Sequence, residues 1–116
     1  MKFLSKYLCV FLLLLSFSGK PQVNLDSLFG LWNDTTQADS SRLKAMNQIV
    51  KDGYLFSQPD SAFYFAQSIY DLAKSKNDEK WIASALNLLG VSSSVKGDVQ
   101  NAIKYFDNAV KYHKKL

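Results

Sequence analysis

The sequence predicts an all-α protein: a helical-hairpin repeat array with about two repeats behind a short N-terminal helix. Apolar residues recur every three or four positions over most of the chain, which is the period of a helix with one buried face. No alternating apolar–polar run bounded by turn residues, the pattern of a strand, is found. A recurrence at 40 residues separates Asn47 from Asn87 and Ala62 from Ala102. Because a fixed period is typical of stacked repeats, we expect each hairpin to pack against the next.

Residues 1–19 have the pattern of an export signal peptide. Lys2 and Lys6 supply its basic start. An uncharged apolar run follows from Tyr7 to Leu15, and Ser16 and Ser18 then fit the small-x-small pattern that precedes cleavage. The apolar run is shorter than the roughly 20 residues that a helix needs to span a bilayer. We therefore expect export, to the periplasm or facing it, with an uncleaved membrane anchor as the alternative.

The composition is that of a small globular domain, with 47% hydrophobic and 21% charged residues. Without Lys2 and Lys6 the formal net charge falls from +4 to about +2. Binding to a phosphate backbone needs a concentrated basic face, so we expect no nucleic-acid partner. The chain's one cysteine lies within the predicted signal peptide, which leaves no disulfide in the exported part.

Residues 20–40 are predicted as a linker and a short helix. One helical face would be formed by Leu25, Leu28, Leu31 and Trp32. The polar stretch from Asn33 to Asp39 is typical of a loop. Asp39 or Ser40 is expected to cap the next helix, because a short side-chain oxygen can accept from the free amides of a first turn.

Four longer helices are predicted after this loop. The first runs from about Ser41 to Leu55. The break Gln58-Pro59-Asp60 follows it, because proline cannot continue a helix and Asp60 can cap a new one. The second helix ends at Asn77-Asp78, where the third starts, and the third ends near Gly97. Asp98 then caps the fourth. Its inward stripe is expected to contain Val99, Ala102, Ile103, Phe106, Ala109, Val110 and His113.

The last two helices carry Leu86-x-x-Leu89-Gly90 followed by Ala102-x-x-x-Phe106-x-x-Ala109. This pattern resembles the tetratricopeptide repeat, whose first helix carries a bulky residue and Leu-Gly and whose second carries Ala, an aromatic residue and Ala. The better match occupies residues 77–116, and a degenerate copy occupies residues 41–76. The resemblance implies a tetratricopeptide-like α-α superhelix. A helical-hairpin array of another family is the alternative.

Small residues in this motif would allow two helix backbones to approach closely. Phe106 would then fill the space between neighbouring helices. In the degenerate copy, Val50 stands where the motif has glycine and Ala66 stands where it has the aromatic residue. We expect the larger and the smaller side chain to compensate each other in volume.

No constellation of catalytic residues is found in the sequence. His113 is the chain's one histidine and is predicted to be structural, because no second histidine or cysteine completes a metal or catalytic site. Glycine-rich phosphate loops and nucleophile elbows are missing too. We therefore expect no enzyme activity, no catalytic or metal-binding residues and no cofactor. The last helix has a basic end, formed by Lys111, Lys114 and Lys115. These positive charges interact favourably with the helix dipole; alternatively, they bind an anionic lipid or an acidic partner.

The resemblance also implies a binding surface, because the first helices of successive tetratricopeptide hairpins line the concave face that holds ligands. The candidate residues on that face are Lys44, Asn47, Lys51, Tyr54, Ser84, Asn87, Val91 and Ser94. Asn47 and Asn87 recur at the same repeat position. Their amides could bond a peptide backbone or, equally, neighbouring helices of the array.

The predicted function is that of an exported interaction scaffold for proteins or peptides. The alternative is the N-terminal sensory region of a membrane-bound signalling enzyme, an adenylate or guanylate cyclase or a sensor histidine kinase, whose catalytic part is absent here. A free-standing enzyme is a third reading. Because Leu116 is the last residue of a repeat by the family's count, we expect either a longer protein or pairing through the last helix, including self-association. Contact with a membrane would come only from an uncleaved N-terminal segment or a missing C-terminal part.

Overall fold

The computed structural model describes residues 23–115, which form five helices joined by short turns. The helices are α1 (Leu25–Asn33), α2 (Asp39–Gln48, continued by the π-helical segment Ile49–Tyr54), α3 (Pro59–Ser75), α4 (Glu79–Val95) and α5 (Val99–Lys115). No strand occurs in this part of the chain, so the all-α prediction is confirmed for it. The predicted signal peptide at residues 1–19 lies outside the described residues. Of the helices within residues 23–115, none has both the length and the apolar character that crossing a membrane requires.

Helix α1 is capped at its start and tied to α2 at its end. The carboxamide oxygen of Asn24 accepts the Ser27 amide at 3.1 Å, which satisfies one free N–H group of the first turn. At the other end, Arg42 Nε donates to the Trp32 carbonyl oxygen at 2.8 Å. The Arg42 guanidinium also lies 5.2 Å from the centre of the Trp32 ring. The α1 side chains packed on the core are Leu25, Leu28, Phe29 and Trp32.

Helix α2 differs from its prediction at both ends. The sequence predicts a start near Ser41 behind a cap from Asp39 or Ser40, but the helix begins at Asp39, so both expected caps lie inside it. At the other end the helix widens into a π turn, because the Leu55 amide donates to the Val50 carbonyl oxygen five residues earlier at 2.9 Å. The helical turn therefore continues to Tyr54, close to the predicted end.

The junction between α2 and α3 is the predicted Gln58-Pro59-Asp60 break. Pro59 is the first residue of α3, where its missing N–H group would have no helical partner anyway. Asp60 lies within the first turn and complements the positive end of the helix dipole, whereas the sequence predicts it as the cap. The buried face of α3 is small, consisting of Ala62, Ala66, Ile69 and Ala73.

The turns on either side of α4 have the same construction. Asn77 and Gly97 both adopt left-handed backbone conformations, with φ of 53° and 86°. The amides of Asp78 and Asp98 each reach back to a carbonyl five residues earlier, at 2.9 and 2.8 Å, as in a Schellman motif. Each aspartate then caps the following helix through its side chain, as predicted for Asp98.

The four long helices begin at residues 39, 59, 79 and 99, so each starts 20 residues after the one before it. Two helices therefore account for the 40-residue recurrence of the sequence. Consecutive helices pack against each other along the chain. At the contact between α4 and α5, a Cβ atom on Gly90 would lie 2.6 Å from Cε1 of Phe106. The predicted use of glycine for close packing is thus found in the structure.

The apolar stripe predicted for the last helix is only partly buried. Ala102 and Ala109 are buried, but Val99, Ile103 and Val110 are 60%, 54% and 49% exposed. His113 is also exposed. Residues of α5 that pack on the core instead include two tyrosines, Tyr105 and Tyr112. The predicted apolar stripe is wider than the side of α5 that packs on α4. No other helix of residues 23–115 covers the rest of the stripe.

Candidate functional site

Four of the predicted concave-face residues line one pocket between α2 and α4, which we call the amide pocket. Asn47 and Lys51 come from α2, one turn apart. Ser84 and Asn87 come from α4, where a spacing of three residues also puts their side chains on one face of the helix. The structure therefore brings together Asn47 and Asn87, the two residues that occur at the same position of each 40-residue unit.

The lining of the amide pocket combines polar groups with an apolar wall. Its volume is about 210 Å³, and Trp81 and Leu88 complete its lining. Two carboxamides supply donors and acceptors, Ser84 supplies a hydroxyl, and Lys51 supplies a positive charge. This volume is below the roughly 300–1,000 Å³ of a typical small-molecule site. The pocket is therefore better suited to one side chain with its flanking peptide groups than to a bound cofactor.

Asn87 is held in place by the last helix. Its side-chain nitrogen lies 3.2 Å from Nε2 of His113. Because an amide nitrogen donates, the ring nitrogen accepts, and one N–H group and the carbonyl oxygen of Asn87 keep their hydrogen-bonding capacity. The contact places the exposed His113 beside Asn87, and it agrees with the reading in which Asn87 bonds a neighbouring helix. It still leaves the amide able to bind a ligand.

The other four predicted residues lie outside the amide pocket. Lys44 and Ser94 are exposed, and Val91 is half-buried on α4 beyond the pocket. Tyr54 packs among aromatic rings, with its centroid 5.1 Å from Phe65 and 6.5 Å from the α1 residue Phe29. The π turn before Tyr54 and the presence of α1 direct this ring to the core cluster. Helical spacing within α2 gave no signal of that long-range contact.

Trp81 and Leu88 belong to the pocket but were not among the predicted residues. Trp81 lies three residues before Ser84, and Leu88 lies four residues after it. Residues three or four apart on a helix are neighbours, so this spacing is the signal that could have identified both. The repeat motif itself does not include these two positions, so the resemblance gives no signal for the apolar wall.

Among residues 23–115, no group of three or more histidine, cysteine, aspartate or glutamate side chains is placed to hold a metal ion. The described residues instead form packed helices with a polar groove between α2 and α4. Comparison with protein-family models, with curated proteins and with solved structures finds no match to this chain.

Proposed function

We propose that this chain is a tetratricopeptide-like interaction module that binds an extended peptide segment of another protein, outside the cytoplasm. One observation carries the proposal: Asn47 and Asn87 line the same pocket although they are 40 residues apart in sequence. Each comes from the first helix of its hairpin. A peptide backbone offers donors and acceptors in alternation, which a pair of carboxamides can match.

The rest of the amide pocket supports a peptide over other ligands. Trp81 and Leu88 provide an apolar wall for one side chain of the bound segment. Lys51 is exposed at the pocket and favours a peptide that carries a carboxylate nearby. A groove of this size makes few contacts, so we expect affinity in the micromolar range that is typical of transient recognition.

The repeated construction of the helices supports the tetratricopeptide-like reading. Helices that start every 20 residues, with matching turns after α3 and α4, are what a regular solenoid needs. The placement outside the cytoplasm is supported by the sequence pattern of residues 1–19.

The experiment is a selection of phage-displayed random peptides on the purified chain, followed by fluorescence polarisation with the selected peptides. The double variant Asn47→Ala, Asn87→Ala should bind these peptides about tenfold more weakly or worse. Each lost hydrogen bond contributes about 0.5–1.5 kcal/mol, and 1.4 kcal/mol is a factor of ten.

The matched control is the double variant Gln48→Ala, Gln100→Ala, which removes two exposed carboxamides away from the pocket. It should bind like the native chain, and all variants should keep the native thermal melting within a few degrees. If no peptide is enriched, or if the control loses as much affinity as the asparagine variant, the proposed function is wrong.

A further inference from the structure

A second and larger pocket lies between α3, α4 and α5, and we call it the tyrosine pocket. It is lined by Tyr70, Leu86, Asn108, Lys111, Tyr112 and Lys115 and has a volume of about 360 Å³. This volume falls within the range of small-molecule sites. Leu86 is only 5% exposed and supplies an apolar surface, while the two tyrosine rings come from different helices. The pocket shares no residue with the amide pocket.

Positive charge surrounds the tyrosine pocket, and none of its six lining residues is acidic. Lys111 lies in the lining itself. Lys74 Nζ lies 3.5 Å from the hydroxyl oxygen of Tyr112 and 5.9 Å from the centre of the Tyr70 ring. Donation to the Tyr112 oxygen is the main reason why the pKa of Lys74 is raised above its ordinary value, so the ammonium form is favoured there.

The third lysine is already balanced by a carboxylate. Lys115 Nζ lies 3.7 Å from Glu79 Oε1 and 5.2 Å from the centre of the Tyr112 ring. Lys74 and Lys111 form no ion pair of this kind within residues 23–115, so both remain to meet a bound anion. A phosphate monoester carries about −1.5 to −2 charges at neutral pH, which two ammonium groups can balance.

The hydrogen-bonding groups point to the same ligand chemistry. Ammonium groups and tyrosine hydroxyls donate, and the Asn108 amide can donate as well, so an acceptor-only group is the natural complement. The rings of Tyr70 and Tyr112, with Leu86, offer apolar contact to whatever carries the anion. We propose that the tyrosine pocket binds a phosphate monoester carried on an apolar or aryl group. Such a ligand can be a free organic phosphate or the headgroup of a phosphatidic-acid-like lipid.

The primary test titrates phenyl phosphate and inorganic phosphate into the full chain at low ionic strength and follows binding by calorimetry. Phenyl phosphate should bind with a stoichiometry of one, and inorganic phosphate should bind several-fold more weakly because it gains no apolar contact. Lys74→Gln and Lys111→Gln should each weaken phenyl phosphate binding about fivefold to tenfold, since charge-assisted hydrogen bonds are the stronger class but these lysines are exposed and screened.

The matched control is Lys104→Gln, which removes an exposed lysine of α5 that does not line the pocket. It should leave phenyl phosphate binding within about twofold of the native chain. A second arm measures co-sedimentation with phosphatidylcholine vesicles made with and without phosphatidic acid. Binding that needs phosphatidic acid, and that Lys74→Gln and Lys111→Gln both lose, identifies a lipid headgroup. Phenyl phosphate binding without vesicle binding identifies a soluble organic phosphate.

Two results would overturn the proposal. One is a lack of saturable binding of phenyl phosphate to the native chain together with no preference for phosphatidic acid vesicles. The other is an equal loss of binding in Lys104→Gln and the pocket variants, since that marks general attraction to a basic surface. Neither result bears on the peptide proposal, because the amide pocket shares no residue with the tyrosine pocket and retains its residues in all three variants.

Discussion

At the scale of single residues, we expect volume at matched positions to decide how neighbouring helices pack. Beside Gly90, the ring of Phe106 occupies the space that a Cβ atom would need. Forty residues earlier in the sequence, Val50 and Ala66 stand at the corresponding positions, and both are 0% exposed. We infer that valine with alanine divides in the opposite way a space similar to that shared by glycine and phenylalanine.

The first prediction replaces the glycine–phenylalanine pair between α4 and α5 by the valine–alanine pair of the first hairpin. Gly90→Val should lower the free energy of unfolding by about 1–3 kcal/mol through overpacking, although valine is the better helix former. Phe106→Ala should destabilise as well, because apolar burial is lost. The double variant should lose less than the sum of the two single changes, by about 1 kcal/mol, since the clash is no longer present. Urea denaturation of the four proteins measures this coupling.

Val50→Gly is the companion variant in the first hairpin. It should destabilise the chain, because it opens a cavity beside Ala66 and adds backbone freedom in a helical segment. Additive losses in the α4–α5 cycle, or an unchanged melting temperature of Val50→Gly, would show that volume is not what links the two positions.

Opposite charges recur at the ends of the helical elements. In three successive helix pairs, an acidic residue in the first turn of one helix meets a basic residue at the end of the next. These pairs are Asp39–Lys76 at 3.5 Å, Asp60–Lys96 at 2.9 Å and Glu79–Lys115 at 3.7 Å. Each also complements the dipoles of the two antiparallel helices. Exposed pairs of this kind contribute no more than about 1 kcal/mol each, so they favour the antiparallel arrangement without dominating stability.

The second prediction concerns the cap of α5. The side-chain and backbone N–H groups of Asn101 donate to Asp98 at 2.7 and 3.3 Å, and they hold the pKa of that carboxyl below its usual value of 3.8. A lowered pKa means that the stabilisation is present above the ordinary value and is lost as the pH falls through the folded-state pKa. Asp98→Asn keeps a capping oxygen but does not titrate. The native chain should therefore melt higher than Asp98→Asn at neutral pH, and the difference should shrink below about pH 3.8.

Thermal melts of both proteins from pH 7 down to acid measure this difference, and an NMR titration of the Asp98 carboxyl gives its pKa directly. A melting difference that stays constant across the whole range would contradict the prediction. A carboxyl that titrates at or above its ordinary value would contradict it as well.

Local chemistry explains which parts of the fold the sequence could predict. The helix boundaries at Pro59, Asn77 and Gly97 follow from backbone preferences that act within a few residues, and the structure has them where they were expected. That Asn47 and Asn87 line one pocket agrees with the 40-residue recurrence of the sequence. The spacing of residues along one helix does not predict which face of the helix packs against a neighbouring helix. It also does not predict which aromatic ring, distant in sequence, a side chain contacts. That is why the partial exposure of the α5 stripe and the aromatic packing around α2 were missed.

At the scale of the whole molecule, the outer face of α5 carries several large hydrophobic side chains that are exposed. Val99, Ile103 and Val110 form it, and we call it the α5 seam. They follow each other at intervals of four and seven residues, so they lie along one side of the helix. In a two-fold, antiparallel pairing of two copies, Val99 would face Val110 of the second copy, and the two Ile103 side chains would lie near the two-fold axis. A surface that complements itself in this way is suited to a symmetric dimer.

The third prediction is that the purified chain dimerises through the α5 seam. Sedimentation velocity should give a sedimentation coefficient that rises with concentration to the value of a dimer. Ile103→Glu should weaken the dimer by about a hundredfold, because the residue occurs twice in a two-fold interface and each buried isoleucine contributes about 1.5 kcal/mol or more. Phe56→Ser is the matched control, since Phe56 is 75% exposed but lies between α2 and α3, away from the seam. This variant should dimerise like the native chain. A native chain that stays monomeric at high concentration, or equal weakening by both substitutions, would show that the seam does not pair with its own copy.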